Sequence, residues 1–359
     1  CDWCPSLLVF AVHPKCATMA CVTPMKPLKI LYLFIGIGLL VFVLTHTDLP
    51  SVWYQLKKVG WGILVVLVVY KIAFIVDSFA WQFTLPSTQL TRRWLYDLWK
   101  VRMVGAAFSK VLPFSSFGGA PIKGFILKHH YGIHYKEGAA SLILAESTHM
   151  ISMVLFMATG VLLILFASNL PESYYFFSIL SLGAITTGIL LFYLVQRYKI
   201  TSLTGSWVSK RKFGQRLKKF IHQFQDMDER LVQFYTRDRR CFFSASFLNL
   251  VNWYLGALEI YVIFYFLGHP ITIIDAVILE TLVELVRAGT FFIPAGLGSQ
   301  EVIFMIATEA IAGQSTLGVA AALIRRVREI IWLIWGFSIG LEYSQKPFDL
   351  VKVAQKDLN

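Results

Sequence analysis

The chain has 359 residues, of which 57% are hydrophobic and only 15% charged, and its formal net charge is +12. Soluble domains carry about 25% charged residues, so this composition excludes an ordinary soluble fold. An excess of Lys and Arg on so apolar a chain marks cytoplasmic loops beside anionic lipid. No polar domain is present to carry a nucleic-acid surface, and that partner class is excluded too.

Residues 1–24 hold Cys1, Cys4, Cys16 and Cys21. Their spacing has the outline of a zinc knuckle. The run "MKPLKILYLF" from Met25, however, reads as a natural start with Lys26 and Lys29 ahead of an apolar stretch. Residues 1–24 are therefore expected to be a disordered leader or extension, and 25–359 a single integral-membrane domain. Apolar runs follow at Leu28–Leu44, Trp61–Trp81, Ala139–Ala167, Tyr174–Val195, Phe242–Leu267 and Leu317–Leu341. Each is long enough to approach or cross about 30 Å of hydrocarbon. A spanning segment must satisfy its own backbone, so these runs predict helices. The fold class is an all-α polytopic membrane protein with about six full spans.

Two further helical segments, Trp94–Leu112 and Ile273–Ile293, run into breaks. The first break is "VLPFSSFGGAPIKG" (Val111–Gly124) and the second is "FFIPAGLGSQE" (Phe291–Glu301). Pro removes a backbone donor and Gly permits turns that other residues resist, so the chain can reverse inside the membrane. The polar groups freed there are tolerable only beside protein or a water-filled cavity. Between Arg197 and Arg240 lies one long basic stretch. Its Leu217, Phe220, Ile221 and Phe224 fall at helical spacing, which predicts an amphipathic helix on the membrane surface.

Lys and Arg set the orientation. The 197–240 connector, Arg92–Arg93, Lys123–Lys136 and the tail with Lys346, Lys352 and Lys356 are expected in the cytoplasm, as are both termini. The turns near Asn169–Ser173 and Gly268–Thr272 carry no Lys or Arg and are expected outside. These placements agree if Trp94–Lys128 and Ile273–Gly313 are re-entrant hairpins dipping in from opposite sides. The halves then correspond: repeat one covers 61–167 and repeat two 242–341, inverted by the single span between them. After each break comes a small-residue helix with charge, "EGAASLILAES" bearing Glu146 and "LGVAAALIRR" bearing Arg325 and Arg326. Inverted repeats with broken helices are the layout of secondary transporters.

Ionisable groups inside a membrane mark pathways by default. Glu280, Glu284 and Arg287 recur at i, i+4 and i+7 and share a helix face. Glu301 follows the second break. Arg325 and Arg326 match phosphate oxygens by their guanidinium forks. Arg328 and Glu329 fit mutual neutralisation, with Glu329 also able to reach Arg325 one turn away. Lys71 and Asp77 are expected to snorkel or to face a cavity. His129, His130 and His134 sit in a basic turn and are assigned to lipid headgroups rather than metal. No nucleophile elbow, P-loop or zinc-protease motif is present, so no cofactor is expected and transport is favoured over catalysis.

The segments "VLPFSSFGGAPIKGFIL" and "FFIPAGLGSQEVIF", with "AALIRR" downstream, resemble the flippase-like membrane region of the lysylphosphatidylglycerol synthase family over Leu28–Tyr343. The resemblance points to Pro113, Gly118, Gly119 and Glu146 in the first half. In the second half it points to Pro294, Gly296, Gly298, Glu301 and one of Arg325 or Arg326. Ser147 stands where the family often has Arg. The sequence carries no soluble synthase segment, so the aminoacyl-transfer activity is not carried over and a stand-alone member is expected. With the charges of Ile273–Ile293, the implied function is a lipid translocase in a prokaryotic inner membrane, moving a phospholipid or lipid-linked substrate. The alternatives are an intramembrane transferase and a scaffold for a lipid-synthesis enzyme; the implied protein partners are such an enzyme or a second copy of the chain.

Overall fold

A computed structural model describes residues 49–85, 88–111, 119–166, 172–197, 238–290 and 298–343. The Leu28–Leu44 run, the leader, the amphipathic stretch around Leu217–Phe224, and Pro113, Gly118, Pro294 and Gly296 lie outside them. Ten helices are described: α1 (Leu49–Val59), α2 (Gly62–Gln82), α3 (Arg92–Val111), α4 (Ala120–Tyr131), α5 (Tyr135–Phe166), α6 (Glu172–Arg197), α7 (Arg239–Phe266), α8 (Ile273–Gly289), α9 (Ser299–Ala312) and α10 (Ser315–Tyr343). No strand occurs among the described residues.

Helices α2, α5 and α7 are long and apolar enough to cross a membrane. Helix α6 contains a shorter apolar stretch, Tyr175–Leu191. Helix α10 has the length, but Arg325, Arg326, Arg328 and Glu329 interrupt its apolar run. Outward-facing apolar side chains such as Trp61, Leu162, Phe166 and Phe177 are exposed, which fits a lipid-facing surface rather than a water-facing one. The chain is an α-helical, multi-pass membrane protein.

Local sequence explains where the helices start and stop. Helix α8 begins with a capping box: the Thr272 hydroxyl accepts from the Asp275 amide at 3.1 Å, and the Asp275 carboxylate accepts from the Thr272 amide at 3.1 Å. This satisfies two amides that the first helical turn leaves without partners. Helices α4 and α9 both end on a left-handed glycine, Gly132 and Gly313, each with φ 69 and ψ 12. Each glycine leads into the long helix of its half.

The halves share one element order: α2, α3, α4, α5 and then α7, α8, α9, α10. Their packing is reciprocal. Helices α2 and α7 lie against each other, α3 packs on α10, and α8 packs on α5. Glycines allow the close approaches. A Cβ on Gly336 of α10 would come within 2.7 Å of the Met103 carbonyl oxygen of α3, and one on Gly160 of α5 would overlap Thr281 of α8.

Two apolar cores result. One joins Phe74, Trp81, Leu98, Met103 and Leu127 of the first half to Trp332 and Ile339 of α10. The other joins Ile260, Phe264, Leu279, Phe304 and Ile324 of the second half to Val66 of α2 and Ile164 of α5. Each half completes its core with helices lent by the other.

Candidate functional site

The second half gathers nine ionisable side chains from four helices. Arg325 on α10 holds Glu280 on α8 at 2.7 Å and lies 3.7 Å from Glu259 on α7. Arg328, one turn along, donates to Glu259 and stacks over the Tyr70 ring of α2, 3.8 Å from its centroid. Arg326 reaches Glu301 at the start of α9 (2.7 Å) and Glu329 (3.1 Å). Arg287 donates to Glu284 at 2.5 Å, with Glu329 at 3.9 Å. The carboxylates are Glu259, Glu280, Glu284, Glu301 and Glu329, and the guanidiniums are Arg287, Arg325, Arg326 and Arg328. Helix α7 lacks a Cβ at Gly256, where one would stand 2.9 Å from Glu280.

Sequence spacing therefore placed Glu280, Glu284 and Arg287 on one face, and the structure brings that face to Arg325. It does not pair Glu329 with Arg325. Glu280 and Glu259 on neighbouring helices take Arg325, while Glu329 turns to Arg326, Arg328 and Arg287. Arg328 is matched mainly by Glu259, a residue buried in the middle of an apolar run. Nothing in the local sequence gives Glu259 a partner. The only hint is a lone carboxylate in a membrane helix.

The first half builds a second cluster from corresponding elements. Asp77 of α2 is ion-paired to Arg102 of α3. Lys123 of α4 stands over the Trp81 ring, 5.7 Å from its centroid. With Glu146 and His149 of α5 and Asn249 of α7, these residues line a cavity of about 70 Å³. Asp77 thus faces a cavity, while Lys71 lies exposed with its ammonium 5.9 Å from the Trp335 ring centroid. Lys123, grouped by sequence with the basic turn, lines the interior instead. Its stem occupies the space that a side chain on Gly105 would fill. Gly119, at the start of α4, donates its amide to Ser109 at 3.0 Å, tying α4 to α3.

His130 lies edge-on to Tyr343, and His129 packs against Phe125. Among the described residues no group of three or more His, Cys, Asp or Glu is disposed to hold a metal.

The family model for the lysylphosphatidylglycerol synthase TM region matches residues 29–336. The chain belongs to this family. The lysylphosphatidylglycerol synthase TM match spans both charge clusters and every helix from α1 to α9, ending within α10. Neither a curated protein nor a solved structure matches the chain.

Proposed function

We propose that this protein moves a phosphate-bearing lipid between the leaflets of its membrane. One observation carries the reading. Each half sends charged side chains from its first long helix, both hairpin helices and its last helix into the interior of a mostly apolar bundle. Such groups cost at least about 2.5–3.5 kcal/mol each on membrane-insertion scales and persist where they line a path or gate it. Membership of a family named for a phospholipid synthase supports a lipid as the cargo.

In this reading the halves are inverted repeats, and α3–α4 and α8–α9 are re-entrant hairpins entering from opposite sides. The reciprocal packing of α3 on α10 and α8 on α5 supports that arrangement. Both termini and the 197–240 connector face the cytoplasm. The headgroup passes along the breaks at Pro113–Gly119 and Pro294–Gly298, its tails stay in the bilayer, and access alternates as one half rocks against the other. Arg325 and Arg326 are held by glutamates here, so the second cluster acts as a closed gate in this state.

The test is reconstitution into liposomes, following leaflet exposure of a labelled phospholipid with product analysis of the same sample. Accelerated exposure with the lipid chemically unchanged is expected. A covalently altered lipid points instead to an intramembrane transferase, and neither change to a scaffold.

A further inference from the structure

We propose that the first-half cavity is a headgroup site selective for a phosphate accompanied by a hydrogen-bond donor, a hydroxyl or ammonium group. The inference rests on the lipid reading above and gives the cargo its chemistry.

The four charged groups around the cavity are not equally committed. Arg102 and Asp77 are bound to each other. Lys123 and Glu146 face the same cavity of about 70 Å³, and among the described residues neither has an ion-pair partner. A cation and a carboxylate left apart in a mostly apolar interior are costly unless something between them satisfies both. The hairpin is shaped to hold Lys123 in that position. Gly105 leaves the room its stem fills, and Trp81 lies beside the ammonium.

The two uncommitted groups ask for different things. Lys123 has only donors to offer, and the Arg102 fork has more N–H groups than Asp77 can accept. Both suit phosphate oxygens. Ionised Glu146 is an acceptor only and repels those oxygens, so it must meet a donor on the same ligand. Glycerol-type and ethanolamine-type headgroups present a phosphodiester and a donor a few bonds apart. Choline presents the phosphodiester without any N–H or O–H. Free phosphate supplies the oxyanion without the second arm.

The experiment uses the full chain in phosphatidylcholine nanodiscs. Binding of soluble dihexanoyl phosphatidylglycerol, phosphatidylethanolamine, phosphatidylcholine and inorganic phosphate is compared. The first two are expected to bind at least tenfold tighter than the last two. Lys123→Met keeps the stem over Gly105 and is expected to weaken both preferred lipids at least tenfold. Glu146→Gln is expected to narrow their advantage over phosphatidylcholine at least threefold. Phosphatidylcholine binding as tightly as phosphatidylglycerol overturns the donor requirement. Inorganic phosphate binding as tightly makes this a free-phosphate site and overturns the headgroup assignment. Wild-type affinities in both monodisperse variants overturn the site itself. Absence of binding beside intact lipid translocation discards the site and leaves the transport reading standing. Selective binding without translocation keeps the site and removes that reading.

Discussion

Arg325 of α10 and Glu280 of α8 hold one another at 2.7 Å with both side chains 5% exposed. The contact ties α10 to α8, so the pair bears on stability and, in the proposed mechanism, on gating. Removing one partner of a buried pair costs about 3–5 kcal/mol because the other charge is stranded, whereas replacing both with apolar groups is often nearly neutral. Arg325→Met is therefore expected to lower the unfolding temperature markedly in detergent. Glu280→Leu/Arg325→Met should recover most of the loss, since Arg328 remains to hold Glu259. Full lipid translocation by that stable double variant would remove both residues from the pathway.

The contact of α3 with α10 depends on one missing methyl group. Gly336→Ala puts a carbon about 2.7 Å from the Met103 carbonyl oxygen, while Gly340→Ala stands 3.5 Å from its nearest neighbour, Val104. Overpacking of this kind costs about 1–3 kcal/mol. Thermal unfolding should show a clear loss for Gly336→Ala and almost none for Gly340→Ala. Equal behaviour would mean that the two halves are not in the close contact described.

Gly298 begins α9 with φ 77 and ψ −41, a backbone region that L side chains rarely adopt. Even the mildest positive-φ conformation costs a side-chain-bearing residue about 1–2 kcal/mol. Gly298→Leu is expected to insert and remain monodisperse while losing lipid translocation. Wild-type translocation by this variant would reduce the second break to a simple kink.

Four exposed positions flank the proposed hairpins: Thr91 and His134 around α3–α4, and Pro270 and Gln314 around α8–α9. Single cysteines there, in a background without other thiols, report the topology. An impermeant reagent outside the cell should label Pro270→Cys and Gln314→Cys and leave Thr91→Cys and His134→Cys unmodified. Labelling of only one member of either pair would show that hairpin to cross the membrane rather than return.

Helical periodicity made one face of α8 legible, because the spacing of Glu280, Glu284 and Arg287 is a local property. The Pro-Gly breaks were legible as helix ends: α3 stops at Val111 and α8 at Gly289, close to the expected places. Partnership was not legible. Arg102 lies on a different helix from Asp77, and Glu259 sits 69 residues from Arg328. Only the packing of α2 on α3 and of α7 near α10 sets which charge meets which. Spacing alone offered Arg325 a neighbour on its own helix, Glu329, and gave no sign of Glu280 on another. Lys123 was obscured for a related reason. A basic residue near a basic turn resembles a loop residue until the space at Gly105 turns it inward.

The most direct measurement is the rate at which a fluorescent phospholipid in the inner leaflet of liposomes becomes accessible to an external quencher. Wild-type protein should accelerate that exposure well above protein-free liposomes. Glu301→Gln, which loosens the hold on Arg326, and Gly298→Leu, at equal incorporation, should fall back toward the protein-free rate. A wild-type rate no faster than protein-free liposomes would contradict lipid translocation outright.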